Sequence, residues 1–345
     1  MPVPKRVGSR DDRSSILTER PTYSARGYRG SRRGDPALHI LLKRSNRTCL
    51  QLTRLLFLHA QTSLHPGAGT ALGVVDLPIQ RERHTQWPLV PASSLKGVLR
   101  DACRPESSDS SEYPQWLAVF GPETADADKH AGALTVTDAR ILAFPVRSLR
   151  GVFAWVTCPA VLERLNRDLA LGGSNGIAVP RALKGNELLC AEDSPLLLSD
   201  KKSIVLEEFQ FERSGELGDP GQQLAKQVTD ATALRKLIGK HLAVIADDRF
   251  THFVRHATEV VARIGLDYER KTVKQGALFY QEFLPPETLL YAVLVAQPSR
   301  RENTVMDAEQ VLAFAEAGLQ GGLLQIGGDE TTGKGLCRVY TGTEG

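Results

Sequence analysis

No apolar run in the 345 residues approaches the roughly 18 to 20 needed to cross a bilayer, because charges or glycines break the longest candidates. A membrane-spanning protein is excluded, and no membrane partner is expected. The opening stretch MPVPKRVGSRDDRSS lacks the apolar core of a secretory signal. Cysteine is scarce: Cys49, Cys103, Cys158, Cys190 and Cys337 are odd in number, far apart and without a C-x-x-C pair. Neither a disulfide framework nor a closed zinc site is expected, and the reducing cytoplasm is the expected compartment. What is present, 41% hydrophobic and 24% charged residues, is the composition of an ordinary globular protein of two domains or one elaborated domain.

The net charge of +3 hides an asymmetry. Residues 1–54 carry 13 Lys and Arg against 4 Asp and Glu, whereas residues 55–345 carry 30 against 36. An acidic body of this kind holds a polyanion only where its basic residues gather on one face. The first 34 residues are rich in Arg, Ser, Gly and Pro and show no hydrophobic period, so residues 1–51 are expected to be a basic, disordered extension or a mis-called start. The body is expected over residues 52–345.

Strand-like runs are expected at Leu55–His59, Leu134–Thr137, Ile141–Pro145 and Val152–Thr157, with a second short apolar piece at Leu72–Leu77. Helices are expected over Ser93–Cys103, with Ser93 and Ser94 as N-caps, and over Pro159–Leu171, with Pro in the first turn. Residues 172–250 have no clean period; they read as an insertion at about 172–245, a protruding hairpin with a strand at Ile204–Phe211, on a core that resumes near Leu242. A helix near Asp248–His256, strands at Val260–Asp267, Gly276–Leu284 and Thr288–Ala296, and a helix at Asp307–Leu319 complete the chain. The order β, α, β, β, α, β recurs loosely in each half, giving an α+β, ferredoxin-like class.

Three motifs carry chemistry. In GGLLQIGGDETTGKGL, Gly328, Gly333 and Lys334 match most of a nucleotide-binding phosphate loop, but Gly335 stands where Ser or Thr must hold magnesium. Nucleotide hydrolysis is rejected, leaving either a glycine loop whose backbone can approach a phosphate or a tight turn. His252 and His256 are one helical turn apart but lack the intervening Glu of H-E-x-x-H, so a solvated pair is expected rather than zinc. The third is the crowded segment His59–Arg100. Asp76 follows two valines and precedes Leu77–Pro78, which suits an exposed loop better than a strand, and Arg81, Arg83 and His84 come at once after it. Ser93, Ser94, Lys96 and Gly97 at a helix start form a second anion-friendly group.

The stretches GVVDLPIQRE (73–82), PASSLKGVLR (91–100), GALTVTDARILAFPVRSLRGVFAWVTCP (132–159), LEEFQFE (206–212), ALFYQEFLPPETLLY (277–291) and LQIGGDETTGKG (324–335) closely resemble, in order, those of RAMP-superfamily backbone subunits. The resemblance is to the fourth subunit of the Cmr series, in type III-B CRISPR ribonucleoproteins, and covers about Leu52 to the C-terminus. It implies a modified RRM or ferredoxin-like palm with an inserted thumb hairpin. It also implies copies of the chain stacked as a filament with other Cmr subunits along a CRISPR guide RNA, and cleavage of single-stranded target RNA at regular intervals in antiviral defence. The matching loop carboxylate is Asp76, both catalytic residue and ligand of a divalent metal, Mg²⁺ or Mn²⁺. A metal-bound carboxylate beside a displaced nucleotide would let the RNA 2′-OH attack its own phosphate, giving a 2′,3′-cyclic phosphate. His65 is a second catalytic-loop residue or a loop-stabilising side chain. Guide contacts should fall on phosphate and sugar, with Arg81, Ser93, Ser94, Lys96, Arg147, Arg263, Gly327, Gly328 and Lys334 as candidates. Two competing readings are a non-catalytic RNA-binding scaffold and a stand-alone, metal-independent RAMP endonuclease that trims precursor guide RNA.

Overall fold

The computed structural model describes residues 51–319 and 322–342, so the basic extension expected over 1–51 lies, apart from Gln51, outside the described residues. Strand β1, Leu52–Ala60, is followed by a long loop, the short β2 at Leu89–Val90, and helices α1, Ala92–Ala102, and α2, Tyr113–Phe120. The serines expected to cap α1 do not: Pro91 precedes the helix, Ser93 and Ser94 sit exposed in its first turn, and the Ala92 N–H donates to Asp138 Oδ1 at 2.7 Å. A proline held at φ −58° sets the entry to the helix, so the cap comes from a distant carboxylate. Strands β3, Leu134–Val136, β4, Ala139–Arg147, and β5, Phe153–Thr157, lead into α3, Pro159–Leu171, with proline in its first turn and Val161, Leu162, Leu165 and Leu169 buried at helical spacing.

The stretch read as an insertion carries β6, Glu187–Cys190, β7, Ser203–Leu206, β8, Phe209–Glu216, α4, Asp219–Val228, α5, Thr232–His241, and β9, Leu242–Ile245. It is not a protruding hairpin. Strand β9 lies parallel to β5, β6 pairs with β9 and β8, and β7 pairs with β8, all within the main sheet. This part curls far enough that Leu206 bridges Ser148, just past β4, with Glu207 N–H bonded to Arg147 O and Leu149 N–H to Val205 O, each at 3.0 Å. Next come α6, Asp247–His256, and a free-standing antiparallel hairpin of β10, Glu259–Leu266, and β11, Val273–Phe283. The chain then returns through β12, Leu289–Ala296, α7, Ala308–Ala317, β13, Leu323–Gln325, and β14, Leu336–Thr341.

The architecture is α+β. One 12-stranded sheet runs β13-β14-β1-β12-β4-β5-β9-β6-β8-β7, with β2 and β3 pairing at β4 and β12. The order β, α, β, β, α, β is present as β1, α1, β4, β5, α3 and β9, but the two halves share one sheet because β12 lies between β1 and β4. Strand β12, LLYAVLVA, is a continuous apolar run because both of its faces are covered, α7 packing on it and on β1. Inside, Tyr291 Oη donates to Asp168 Oδ2 at 2.9 Å and Arg140 meets the same oxygen at 2.8 Å, tying α3 to the sheet. Cys158, Cys190 and Cys337 are buried as free thiols; burial pushes Cys190 up to about 11 and Cys337 up to about 12.

Candidate catalytic loop and nucleic-acid interface

The loop after β1 folds back on the hairpin. Leu77 makes a parallel bridge to Gln281, its N–H donating to Tyr280 O and its carbonyl accepting from Glu282 N–H, both at 3.0 Å. One residue earlier, Asp76 Oδ2 accepts the Tyr280 N–H at 2.7 Å, and the Asp76 carbonyl accepts the Ala71 N–H at 2.9 Å. The short apolar piece at Leu72–Leu77 forms this turn, with Leu72 and Val74 fully in solvent, as the exposed loop expected around Asp76. Asp76 therefore stands half-exposed at the base of the hairpin, one carboxylate oxygen used and the other without a hydrogen-bond partner among the described residues.

His65 arrives at the same strand from the opposite arm of the loop. Its Nδ1–H donates to Glu282 O at 2.6 Å, its ring packs 5.4 Å from Phe283, and Nε2 lies so near Gly67 that a Cβ there would sit at 2.9 Å. The side chain is buried, with Nδ1 and the ring face both engaged by the hairpin strand. Asp76 and His65 thus meet β11 two residues apart, a rise of about 7 Å along a strand.

Basic side chains gather beside them. Arg263, on β10, lies 3.4 Å from Asp329 Oδ2, which also accepts Gln281 Nε2 at 2.6 Å. Lys334 Nζ donates to Ser63 Oγ at 3.2 Å, and Ser63 donates to Glu259 Oε2 at 2.7 Å. Arg263 and Lys334 both face the Phe283 ring, 5.6 and 5.2 Å from its centroid. The glycine loop packs on the Ser63–His65 segment: Gly328 N–H donates to His65 O at 3.1 Å and Gly335 N–H to Ser63 O at 2.9 Å. A Cβ at Gly327 would strike the His65 carbonyl, and one at Gly335 the Ile326 carbonyl, with both residues at positive φ. Glycine at 335 is thus a packing requirement, and the backbone donors of Gly328 and Gly335 hold the protein's own loop.

Other candidate RNA contacts stand apart from this cluster or are otherwise engaged. Arg81 spends its guanidinium on Gln86 O, Val254 O and Glu282 Oε1, at 2.9, 2.8 and 2.6 Å. Lys96 Nζ donates to Leu134 O at 2.9 Å, and burial, helped by Arg100, depresses its ammonium pKa. The helix start beside it already holds the Asp138 carboxylate, which opposes a second anion there. Arg147 lies at the far end of β4, exposed and paired with Glu207 at 2.9 Å. The rings of His252 and His256 lie 4.8 Å apart, tilted by 46°, and among the described residues no group of three or more His, Cys, Asp or Glu is placed to hold a metal. Reading the sequence missed Glu282, Gln281 and Asp329; the only signal for Glu282 was a charge set inside the apolar run LFYQEFL.

The RAMP superfamily model matches residues 57–338. Over 292 residues, 83% of this chain and 94% of the relative, the sequence is 39% identical to the CRISPR system Cmr endoribonuclease Cmr4 of Pyrococcus furiosus. The chain belongs to the Cmr4 family of the RAMP superfamily. A second Cmr4, a CMR subunit from Saccharolobus solfataricus, is 26% identical, with 82% of this chain and 94% of that one covered. The crystal structure of oligomeric Cmr4 from Pyrococcus furiosus superposes with a TM-score of 0.62 at 30% identity, covering 84% of this chain and 97% of that one. A chain of the type III-B Cmr-beta complex bound to cognate target RNA shares the fold, with a TM-score of 0.65 at 23% identity and 84% and 97% coverage. No helix among the described residues of this RAMP protein is long and apolar enough to cross a membrane.

Proposed function

We propose that this chain is the repeated backbone subunit of a type III-B CRISPR ribonucleoprotein, stacking with copies of itself and other Cmr subunits on a guide RNA and cutting complementary target RNA at Asp76. The observation that carries the reading is Asp76 itself, half-exposed on a loop pinned by the Tyr280 N–H at the base of a free-standing hairpin, with Arg263 and Lys334 gathered at the same base. It agrees with the Cmr4 relatives, one of them named an endoribonuclease. The hairpin fits the thumb that the family resemblance implies, and it lies at 259–283 rather than within 172–245.

In the proposed chemistry the RNA supplies its own nucleophile, the 2′-OH, and leaves a 2′,3′-cyclic phosphate and a 5′-hydroxyl. The Tyr280 N–H fixes one carboxylate oxygen and orients the other outward, while Arg263 and Lys334 offset the negative charge of the approaching backbone. A single open carboxylate suits Mg²⁺ or Mn²⁺, which keep several waters and take phosphate oxygens as ligands. Such an ion, held by Asp76, would polarise the scissile phosphate when bound.

The test is target cleavage by the reconstituted complex. Asp76→Ala is expected to abolish cleavage while assembly and target binding persist, EDTA to stop the wild type, and a DNA target to stay intact. Undiminished cleavage by the Asp76→Ala complex overturns the site. Cleavage that survives EDTA overturns the metal and favours the metal-independent reading.

A further inference from the structure

Below Asp76 lies a charge that the proposed chemistry does not use. The Glu282 side chain is buried within β11, and groups from several segments converge on this one residue. Its Oε1 accepts from Arg81 at 2.6 Å and from Thr258 Oγ1 at 2.8 Å, while Oε2 accepts the Ile79 N–H at 3.1 Å. Its backbone N–H holds Leu77 O at 3.0 Å, and its carbonyl takes His65 Nδ1–H. One residue thus grips both arms of the catalytic loop, the entry to the hairpin at Thr258 and, through Arg81, the end of α6 at Val254.

An apolar residue here would cost less desolvation, since burying a carboxylate is unfavourable unless it is paired and hydrogen-bonded. What an apolar residue cannot do is hold three donors at once, two from the Ile79–Arg81 arm of the loop and one from Thr258 at the hairpin entry. From this we infer that Glu282 is a positioning residue for strand scission: it locks the loop to the hairpin so that Asp76 meets the Tyr280 N–H two residues along the same strand. Movement of the hairpin then carries Asp76 with it. The carboxylate is enclosed by protein donors and does not reach the RNA. The inference rests on the Asp76 reading above.

Glu282→Gln keeps the shape but replaces one acceptor oxygen with an amide donor, which must face either Arg81 and Thr258 or the Ile79 N–H. Thr258→Val is a milder, isosteric release of one donor, for use if the first variant fails to fold. In reconstituted complexes at saturating target, Glu282→Gln is expected to slow single-turnover cleavage on the order of tenfold to a hundredfold, as misplacement of a reacting group by about 1 Å would do. Thr258→Val should slow it less. Target affinity and complex assembly should stay at the wild-type level, a split that a merely structural defect would not give. Because Asp76 is the residue that would hold the ion, raising Mg²⁺ or Mn²⁺ should restore the rate at most in part.

Wild-type rates for both variants beside an inactive Asp76→Ala would overturn the inference, as would loss of target affinity or assembly in step with the rate. An active Asp76→Ala complex would instead overturn the reading of the site, and the inference with it.

Discussion

Two hairpins in this molecule have similar composition and opposite surroundings. Strands β7 and β8 turn through Glu207 and Glu208 and bury Ile204, Leu206 and Phe211 completely, because β6 and the end of β4 close on them. Strands β10 and β11 carry as much apolar surface but pair only with each other and, at their base, with Leu77; Val260, Ile264, Leu278 and Tyr280 stay 50, 52, 53 and 41% exposed. Directly opposed pairs such as Ile264 with Leu278 and Ala262 with Tyr280 put these side chains on one face. The first hairpin is core. The second presents a contiguous apolar surface to solvent, and the Asp76 loop is fastened to its root.

Removal separates the two most sharply. Deleting residues 203–216 should leave no folded protein, whereas replacing the distal residues 265–277 by a short glycine turn should keep a native circular dichroism spectrum and a cooperative melt. A folded 203–216 deletion would undo the distinction. At single residues, Phe211→Ala should cost about 3–5 kcal/mol in denaturant unfolding, against about 0.5 kcal/mol or less for Leu278→Ala. At the root of the second hairpin, Lys334→Ala should lower the slope of log affinity against log salt for RNA by about 1, without dependence on sequence; Lys96→Ala, whose ammonium holds Leu134 O, should leave that slope unchanged.

The smallest effect concerns Glu82. Burial alone would raise its pKa, but the Arg164 guanidinium, bonded at 2.6 and 3.1 Å, and the Thr85 hydroxyl outweigh burial and hold the carboxyl below its usual value. A depressed carboxylate stabilises the fold above its unfolded pKa, and that contribution is lost as pH falls through the folded value. Glu82→Gln should therefore flatten the acid side of the stability profile and leave a lower plateau near neutrality. An unchanged profile would show that the pair contributes nothing.

Much of the fold was legible where periodicity and burial agree. Helix α3 begins at its proline, β12 is a continuous apolar run, and β4 and β5 fall where Ile141–Pro145 and Val152–Thr157 indicate. The failures have local causes. Residues Ile204–Phe211 read as one strand because their two-residue turn is Glu207–Glu208, with Glu207 at φ +48° and no Gly or Asn to signal it. Which hairpin protrudes depends on what packs around it, a non-local property that apolar content does not encode. In the site, Asp76 was visible as a carboxylate misplaced in an apolar run. Glu282 was not, because its meaning comes from Arg81, Thr258 and Ile79, far from it in sequence.

The buried thiols have a use of their own. With Cys190 raised to about 11 and Cys337 to about 12, almost none of either is thiolate at neutral pH, so an alkylating reagent must wait for the chain to open. Cys190 sits on β6 in the curled part of the sheet and Cys337 on β14 toward its other end. Once Cys49 and Cys103 are replaced by serine and Cys158 by alanine, the two remaining labelling rates become separate clocks, and their agreement or divergence tells whether the sheet opens as one unit or in two.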